Sequence, residues 1–99
     1  MDVVPLINLN AYVLDVADID NRLISKIILS SNQNELYISC WGDKKVLVYD
    51  IAGEKISHQI EVGSHPNDLC LNKAGTYLFV ANADDNSVSI INIKTKQVI

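Results

Sequence analysis

Apolar residues occur along this chain in short runs that polar residues interrupt, and none of the runs has helical length. Several runs place apolar residues at consecutive positions, as in Val46 to Tyr49, whereas a strand with one solvated face would alternate apolar with polar residues. The pattern therefore predicts β-strands that are covered on both faces. The predicted strands are residues 3–9, 12–16, 24–29, 36–40, 46–51, 56–61, 68–71, 77–82 and 88–93.

One segment admits a helical alternative. Residues 12–19 could form a short amphipathic turn, but the stretch has no convincing cap at either end. A strand over residues 12–16 is therefore the preferred prediction.

The sequence also repeats itself. A shift of 42 positions places Leu36 on Leu78, Asp43 on Asp85 and Val46 on Val88 without a gap, and a second shift brings residues 4–9 onto 88–93. A period near 42 that contains four short strands is typical of a β-propeller blade, whose sheets stack face to face and so bury both surfaces. The repeat predicts an all-β chain of four-stranded antiparallel blades that form an incomplete ring.

The register divides the chain into three parts. Residues 1–23 are the end of one blade, residues 24–66 are a complete blade, and residues 67–99 are the start of the next. The predicted core residues are Ile27, Leu29, Leu36, Ile38, Val46, Val48, Leu69, Leu71, Leu78, Val80, Val88 and Ile90.

Two stretches of the sequence resemble the repeat of a known protein family. The stretch from Phe79 to Asn92 and the connector from Val62 to Pro66 are similar to the repeat of the YVTN family of β-propellers. The resemblance covers residues 25–99 well, and the second blade departs from it with Cys40 in place of the motif Asn. It implies a seven-bladed ring, commonly an exported bacterial protein of the periplasm or cell surface. Family members include surface-layer proteins, binding modules, lactonase-like enzymes and haem carriers.

Composition and charge narrow the classes of partner. The net charge of −4 and the absence of any basic cluster beyond Lys44 and Lys45 disfavour nucleic acid. No apolar run approaches the roughly 18 residues of a membrane span, and the first residues do not resemble a signal peptide. About 2.4 blades cannot close a ring, so the expected partners are the remaining blades or copies of this chain, together with a small molecule or protein ligand.

The candidate binding residues lie in turns that a propeller places on one rim. The connector that enters each blade and the turn between its second and third strands share that rim, which predicts a common ligand-binding face for Trp41, Asp43, Lys44, His65, Asp84 and Asp85. His65 precedes Pro66 and is expected to be extended, with its ring bonded to a neighbouring turn. The alternative for His65 is one of several ligands to a metal, haem or phosphate at the channel mouth. Trp41 could stack on a ligand or cover the joint between blades. The turns of the opposite rim, including 32–35 and 94–96, are expected to be plain solvated turns.

Other chemistry finds less support in the sequence. Cys40 and Cys70 lie on strands of adjacent blades and form no Cys-x-x-Cys pair, so buried free thiols are expected, and His58 is expected to face solvent. Asp84, Asp85 and Asn86 lack the acidic ladder of a calcium loop. No cofactor, metal or catalytic residue is predicted, since no hydrolase elbow, phosphate loop or metalloprotease motif occurs.

The leading hypothesis is a non-catalytic propeller segment that binds a ligand or a protein. The alternative is part of a propeller enzyme, either lactonase-like or fused to a phosphoesterase, whose catalytic residues lie outside this chain. A haem-carrying propeller is a third and weaker hypothesis, because the further haem-binding residues that it needs are missing.

Overall fold

The computed structural model describes residues 24–99, which form two four-stranded antiparallel sheets and no helix. The first sheet contains β1 (Ile24–Leu29), β2 (Glu35–Cys40), β3 (Lys45–Asp50) and β4 (Lys55–Glu61). The second contains β5 (Pro66–Leu71), β6 (Tyr77–Asn82), β7 (Ser87–Asn92) and β8 (Gln97–Val98). In both sheets the strands are adjacent in chain order, which confirms the predicted all-β blades. The strands predicted at 3–9 and 12–16 lie outside the described residues.

The predicted strands agree with the observed ones to within two residues at each end, apart from β8. This two-residue strand pairs Gln97 with Asn92 and Val98 with Ile91. A segment this short contains no run of apolar residues, so only its pairing with β7 reveals it as the fourth strand. Among residues 24–99, no helix is present that could cross a membrane.

The 42-residue period extends to the backbone of the turns. Positive φ angles occur at Gln33 and Gly75 between first and second strands, at Lys44 and Asn86 between second and third, and at Glu54 and Lys96 between third and fourth. Each pair is 42 positions apart, and only one of the six residues is a glycine. The tight hairpins therefore impose the left-handed conformation on whatever residue stands there.

The two sheets pack face to face around one apolar cluster. The first sheet contributes side chains such as Tyr37, Val46 and Val48, and the second contributes Leu78 and Val80 among others. The opposite face of the first sheet carries a second buried cluster of Leu36, Ile38, Cys40, Leu47 and Tyr49. The central strands β2 and β3 are therefore buried on both faces, as their consecutive apolar residues indicated.

Part of the predicted core is wrong. Leu36, Ile38, Val46, Val48, Leu69, Leu78 and Val80 are buried, and the half-buried Ile27, Leu29 and Leu71 pack against the buried clusters. In contrast, Val88 is 60% exposed and Ile90 is only half-buried. Val88 and Ile90 lie on the face of the second sheet against which no sheet packs among the described residues. Conversely, Tyr37, Leu47, Ile60 and Ile91 are buried but absent from the prediction. Tyr37 and Leu47 lie on the alternate faces of β2 and β3, which the prediction left out.

Polar contacts also join β1 of the first sheet to β5 of the second. Ser25 lies where the register between β1 and β2 shifts, and its hydroxyl donates to the Pro66 carbonyl of β5 at 2.7 Å. The same oxygen lies 2.7 Å from the Ser39 hydroxyl. Lys26 and Asp68 form an exposed ion pair at 3.7 Å across the same joint. The register shift at Ser25 thus directs its hydroxyl toward the second sheet.

The opposite rim is not made of plain solvated turns, which corrects the expectation for Glu35 and Lys96. Lys96 Nζ lies 3.1 Å from Glu35 Oε1, and the side chains are only 14% and 20% exposed. The same carboxylate oxygen accepts a 3.1 Å hydrogen bond from the Tyr37 hydroxyl, while Lys96 Nζ also donates to the Ile93 carbonyl at 2.6 Å. This group of Glu35, Tyr37 and Lys96, the blade clasp, links the two sheets through residues 61 positions apart in the chain.

We expect Glu35→Gln to destabilise the intact protein by about 1–2 kcal/mol, because the amide keeps the shape but removes the charge that both donors contact. Urea unfolding measures the loss. Glu54→Gln, in the exposed turn of the first sheet, is the matched control and is expected to stay within about 0.5 kcal/mol of wild type. Equal losses in the two variants would show that the blade clasp contributes nothing.

We also expect the blade clasp to make stability sensitive to alkali. Burial, reinforced by the Glu35 carboxylate, raises the pKa of Tyr37 well above its ordinary value of 10.0. Above about pH 10 the unfolded chain then releases a proton that the folded protein retains, so stability falls as the pH rises. Tyr37→Phe removes this contribution. The difference in unfolding free energy between wild type and variant should narrow from pH 8 to pH 11, and a constant difference would contradict the assignment.

Candidate functional site

Three segments meet on one rim of the sheet pair. They are the turn after β2 (41–44), the connector after β4 (62–65) and the turn after β6 (83–86), together called the connector rim. The Ala83 amide donates to the His65 carbonyl at 3.0 Å, the Asp84 amide donates to the Ser64 carbonyl at 3.3 Å, and the Val62 amide donates to the Lys44 carbonyl at 2.9 Å. These backbone bonds fix the connector against the turns on both sides.

The six residues singled out from the sequence all lie on the connector rim, but they form separate groups. Trp41 and Asp84 each contact His65 directly. Asp85 joins them through the connector, because its carboxylate accepts the Ser64 amide at 2.7 Å. Asp43 and Lys44 instead line a shallow cavity of about 180 Å³ with Glu61 and Val62.

Trp41 packs against the His65 ring. The ring centroids are 4.1 Å apart with an interplanar angle of 33°. Trp41 belongs to the first sheet and His65 enters the second, so the pair covers the joint between blades, which is one of the two roles expected for Trp41. Even so, Trp41 remains 41% exposed, and much of its apolar surface faces solvent.

His65 is bound on its other side by a carboxylate. Its Nδ1 lies 2.9 Å from Asp84 Oδ2, and its side chain is 33% exposed. The ring therefore bonds to a neighbouring turn, as expected. A carboxylate on one ring nitrogen selects the tautomer that carries the proton there and turns the other nitrogen outward as an acceptor.

The backbone at His65 differs from the expectation. A residue before proline was expected to be extended, but His65 has a φ of 53° in the left-handed region. The Ala83 amide bonded to its carbonyl holds this conformation, and the chain enters β5 through an irregular register between Pro66 and Asp68. Backbone strain of this kind costs about 1–3 kcal/mol and persists only where the surroundings impose it.

Asn82 is a component that the sequence analysis did not single out. Its side chain is buried beneath the connector, and Nδ2 donates to the hydroxyls of Ser87 at 3.2 Å and Ser89 at 2.9 Å. Its Oδ1 has no hydrogen-bond partner in the part of the chain that the structure describes. A Cβ atom built on Gly63 would lie 2.7 Å from the Asn82 amide, so glycine is required for the connector to approach this closely. In the sequence, Asn82 could have been identified as a polar residue at the end of an otherwise apolar strand.

The remaining candidates lie away from this group. His58 is exposed on β4, as expected, and its ring forms a hydrogen bond with the adjacent Ser57 hydroxyl. Cys40 is buried, but Cys70 is exposed, which corrects the expectation of two buried thiols. Cys70 lies on the uncovered face of the second sheet, beside Phe79 and Val88. Within residues 24–99, no group of three or more His, Cys, Asp or Glu side chains could hold a metal ion.

Comparison with protein families gives a match over most of the chain. Residues 9–98 match the family described as "Lactonase, 7-bladed beta-propeller". Among curated proteins, Antigen Lp49 of Leptospira interrogans serogroup Icterohaemorrhagiae serovar copenhageni (strain Fiocruz L1-130) is 33% identical over 55 residues. That alignment covers 56% of this chain and 12% of the antigen.

Solved structures give the same fold. Kuenenia stuttgartiensis hydrazine synthase aligns with a TM-score of 0.75 and 28% identity over 79% of this chain and 22% of its own. A protein from Bacteroides uniformis ATCC 8492, provisionally assigned as a 6-phosphogluconolactonase, aligns with a TM-score of 0.62 and 20% identity over 77% of this chain and 24% of its own. The chain thus spans a quarter or less of the proteins that it resembles.

We expect Gly63→Ala to destabilise the intact protein by about 1–3 kcal/mol, because the new methyl group must displace the buried Asn82 amide. Thermal melting measures the loss. Gly53→Ala is the matched control, since the nearest atom there is the end of the Asp50 side chain, which can turn away. In the double variant Gly63→Ala with Asn82→Ala the two losses should be less than additive. Full additivity would show that the methyl group and the amide do not meet.

Proposed function

Because the chain belongs to the lactonase family of seven-bladed β-propellers, we propose that it supplies blades of a ring that binds a small molecule on the connector rim. Within that family we propose that its repeats are of the YVTN type, which the motif from Phe79 to Asn92 supports. The remaining blades of the ring are the proposed partners of the uncovered face that carries Phe79, Val88 and Ile90.

One observation carries the proposal for binding. Trp41 is a large aromatic side chain that is 41% exposed and yet fixed in place by its contact with His65. Exposed aromatic groups on rigid loops supply contact area at a low entropic cost, because they are already ordered before a ligand arrives. On the opposite rim, by contrast, Tyr37 and Tyr49 are buried and Tyr77 is half-buried.

Charge indicates what kind of ligand would suit the rim. Its segments and the strand ends beside them carry the carboxylates of Asp43, Glu61, Asp84 and Asp85 against the ammonium groups of Lys44 and Lys45. A surface with this excess of negative charge repels phosphate and carboxylate groups. We therefore propose a neutral ligand whose hydroxyl or N–H groups donate to the carboxylates while its carbon skeleton lies on Trp41.

A second candidate function is hydrolysis of a cyclic ester. The family match favours it, and the contact between His65 and Asp84 supplies a group that could move a proton. In this alternative further catalytic groups come from blades outside this chain. The two candidates share one ligand class, since a neutral sugar lactone fits the charge of the rim in both.

We expect Trp41→Ala to weaken binding of δ-gluconolactam, an unreactive analogue of a sugar lactone, by about tenfold or more in the intact protein. Trp41→Phe, which keeps a smaller ring, should give an intermediate dissociation constant. Isothermal titration calorimetry measures both, and the melting temperature of each variant reports folding.

Lys73→Ala on the opposite rim is the control and should bind the lactam like wild type. A lactam carrying a phosphate on the terminal hydroxyl should bind more weakly than the neutral lactam. The proposal fails if the lactam does not bind, or if Lys73→Ala and Trp41→Ala weaken its binding equally.

A further inference from the structure

We infer that His65, oriented by Asp84, is a general base that activates a water molecule for attack on the carbonyl carbon of a cyclic ester bound at the connector rim. This inference rests on the second candidate function proposed above. It assigns the proton transfer to a residue of this chain.

The first step is the hydrogen bond between the two side chains. With Asp84 Oδ2 2.9 Å from Nδ1, the proton of the neutral ring lies on Nδ1, and the lone pair lies on Nε2. Nε2 has no hydrogen-bond partner among residues 24–99, and the ring is 33% exposed. The ring nitrogen that can accept a proton is therefore Nε2, the one that Asp84 does not contact. Asp84 is a positioning residue, because it acts through the ring.

The second step is the rigidity of the ring. Trp41 covers it at 4.1 Å between centroids, and the left-handed backbone at His65 is held by the Ala83 amide. The ring is thus held between the indole of Trp41 and the carboxylate of Asp84. A base fixed in orientation reduces the entropy lost in reaching the transition state.

The third step is the chemistry. Nε2 takes a proton from water as the water oxygen bonds to the carbonyl carbon, which gives a tetrahedral alkoxide and an imidazolium ion. The alkoxide then reforms the carbonyl, the bond from that carbon to the ring oxygen breaks, and the imidazolium returns its proton to the departing oxygen. The products are an open hydroxy acid and neutral His65. Atoms and charges balance with water as the sole co-reactant.

The charge of the rim assists the cycle. The substrate is neutral, whereas the hydroxy acid ionises at neutral pH to a carboxylate. Asp84 and Asp85 repel this product but not the lactone, which favours its release. A rim built to retain an anionic product would carry the opposite charge.

The test is hydrolysis of δ-gluconolactone by the intact protein, followed by proton release at constant pH. His65→Asn is the informative variant, because Asn tolerates a positive φ and can still donate to Asp84 but cannot serve as a base. We expect kcat to fall by about 100-fold or more while the dissociation constant of the lactam changes less than about threefold. His58→Asn, at the other histidine, should leave both unchanged.

A chemical rescue separates a base from a structural ring. His65→Gly also accommodates the positive φ and leaves space, so added imidazole should restore part of its kcat. Asp84→Asn should lower kcat by about 10- to 100-fold, and the double variant with His65→Asn should be no slower than His65→Asn alone.

Three results would overturn the inference. Turnover by His65→Asn at the wild-type rate would show that another group is the base. Loss of lactam binding in step with kcat, without imidazole rescue, would make His65 a ligand contact and leave only the binding proposal standing. Absence of lactone hydrolysis by the wild type, with lactam binding intact, would exclude both this inference and the second candidate function.

Discussion

A sheet with two apolar faces cannot be stable alone, and this constraint governs the structure. β2 and β3 bury side chains on both sides, so the first sheet needs a neighbour against each face. The face with Tyr37, Val46 and Val48 packs on the face of the second sheet with Leu78 and Val80. The second sheet then presents its own Phe79 and Val88 face, equivalent by the 42-residue repeat to the Tyr37 and Val46 face. Each sheet therefore presents an apolar face that a further sheet must cover.

The two rims connect the sheets differently. On one, the blade clasp joins them through a shielded carboxylate that Tyr37 and Lys96 share. On the other, Gly63 lets the connector lie on the Asn82 amide, which places His65 between Trp41 and Asp84. Neither contact repeats in the sequence at the 42-residue spacing, since Tyr77 stands where Glu35 would recur and Ala83 where Trp41 would. The repeated residues therefore form the sheets and their turns, whereas residues that do not repeat form the blade clasp and the contacts of the connector rim.

The contacts on the connector rim bear on the chemistry that its side chains can perform. A carboxylate on one ring nitrogen and an indole packed on the ring hold the His65 side chain in one orientation at the joint between the blades. A group that binds a ligand or transfers a proton must also be held still before the ligand arrives. The excess of carboxylates on the connector rim repels phosphate groups. Family membership alone leaves both questions open, since one propeller fold carries many functions.

Patterns in the sequence predicted the strands of residues 24–93, their order and the 42-residue period, because side-chain alternation, turn residues and self-similarity can be read directly from the sequence. It also placed the candidate residues on one rim, since strand direction alone fixes where turns emerge. Three other features depend on tertiary contacts. Val88 is exposed because no sheet packs against its face among the described residues. The blade clasp joins residues 61 positions apart, and the left-handed backbone of His65 depends on the Ala83 amide of the next turn. Burial, long-range pairing and imposed strain depend on neighbours that no local pattern encodes.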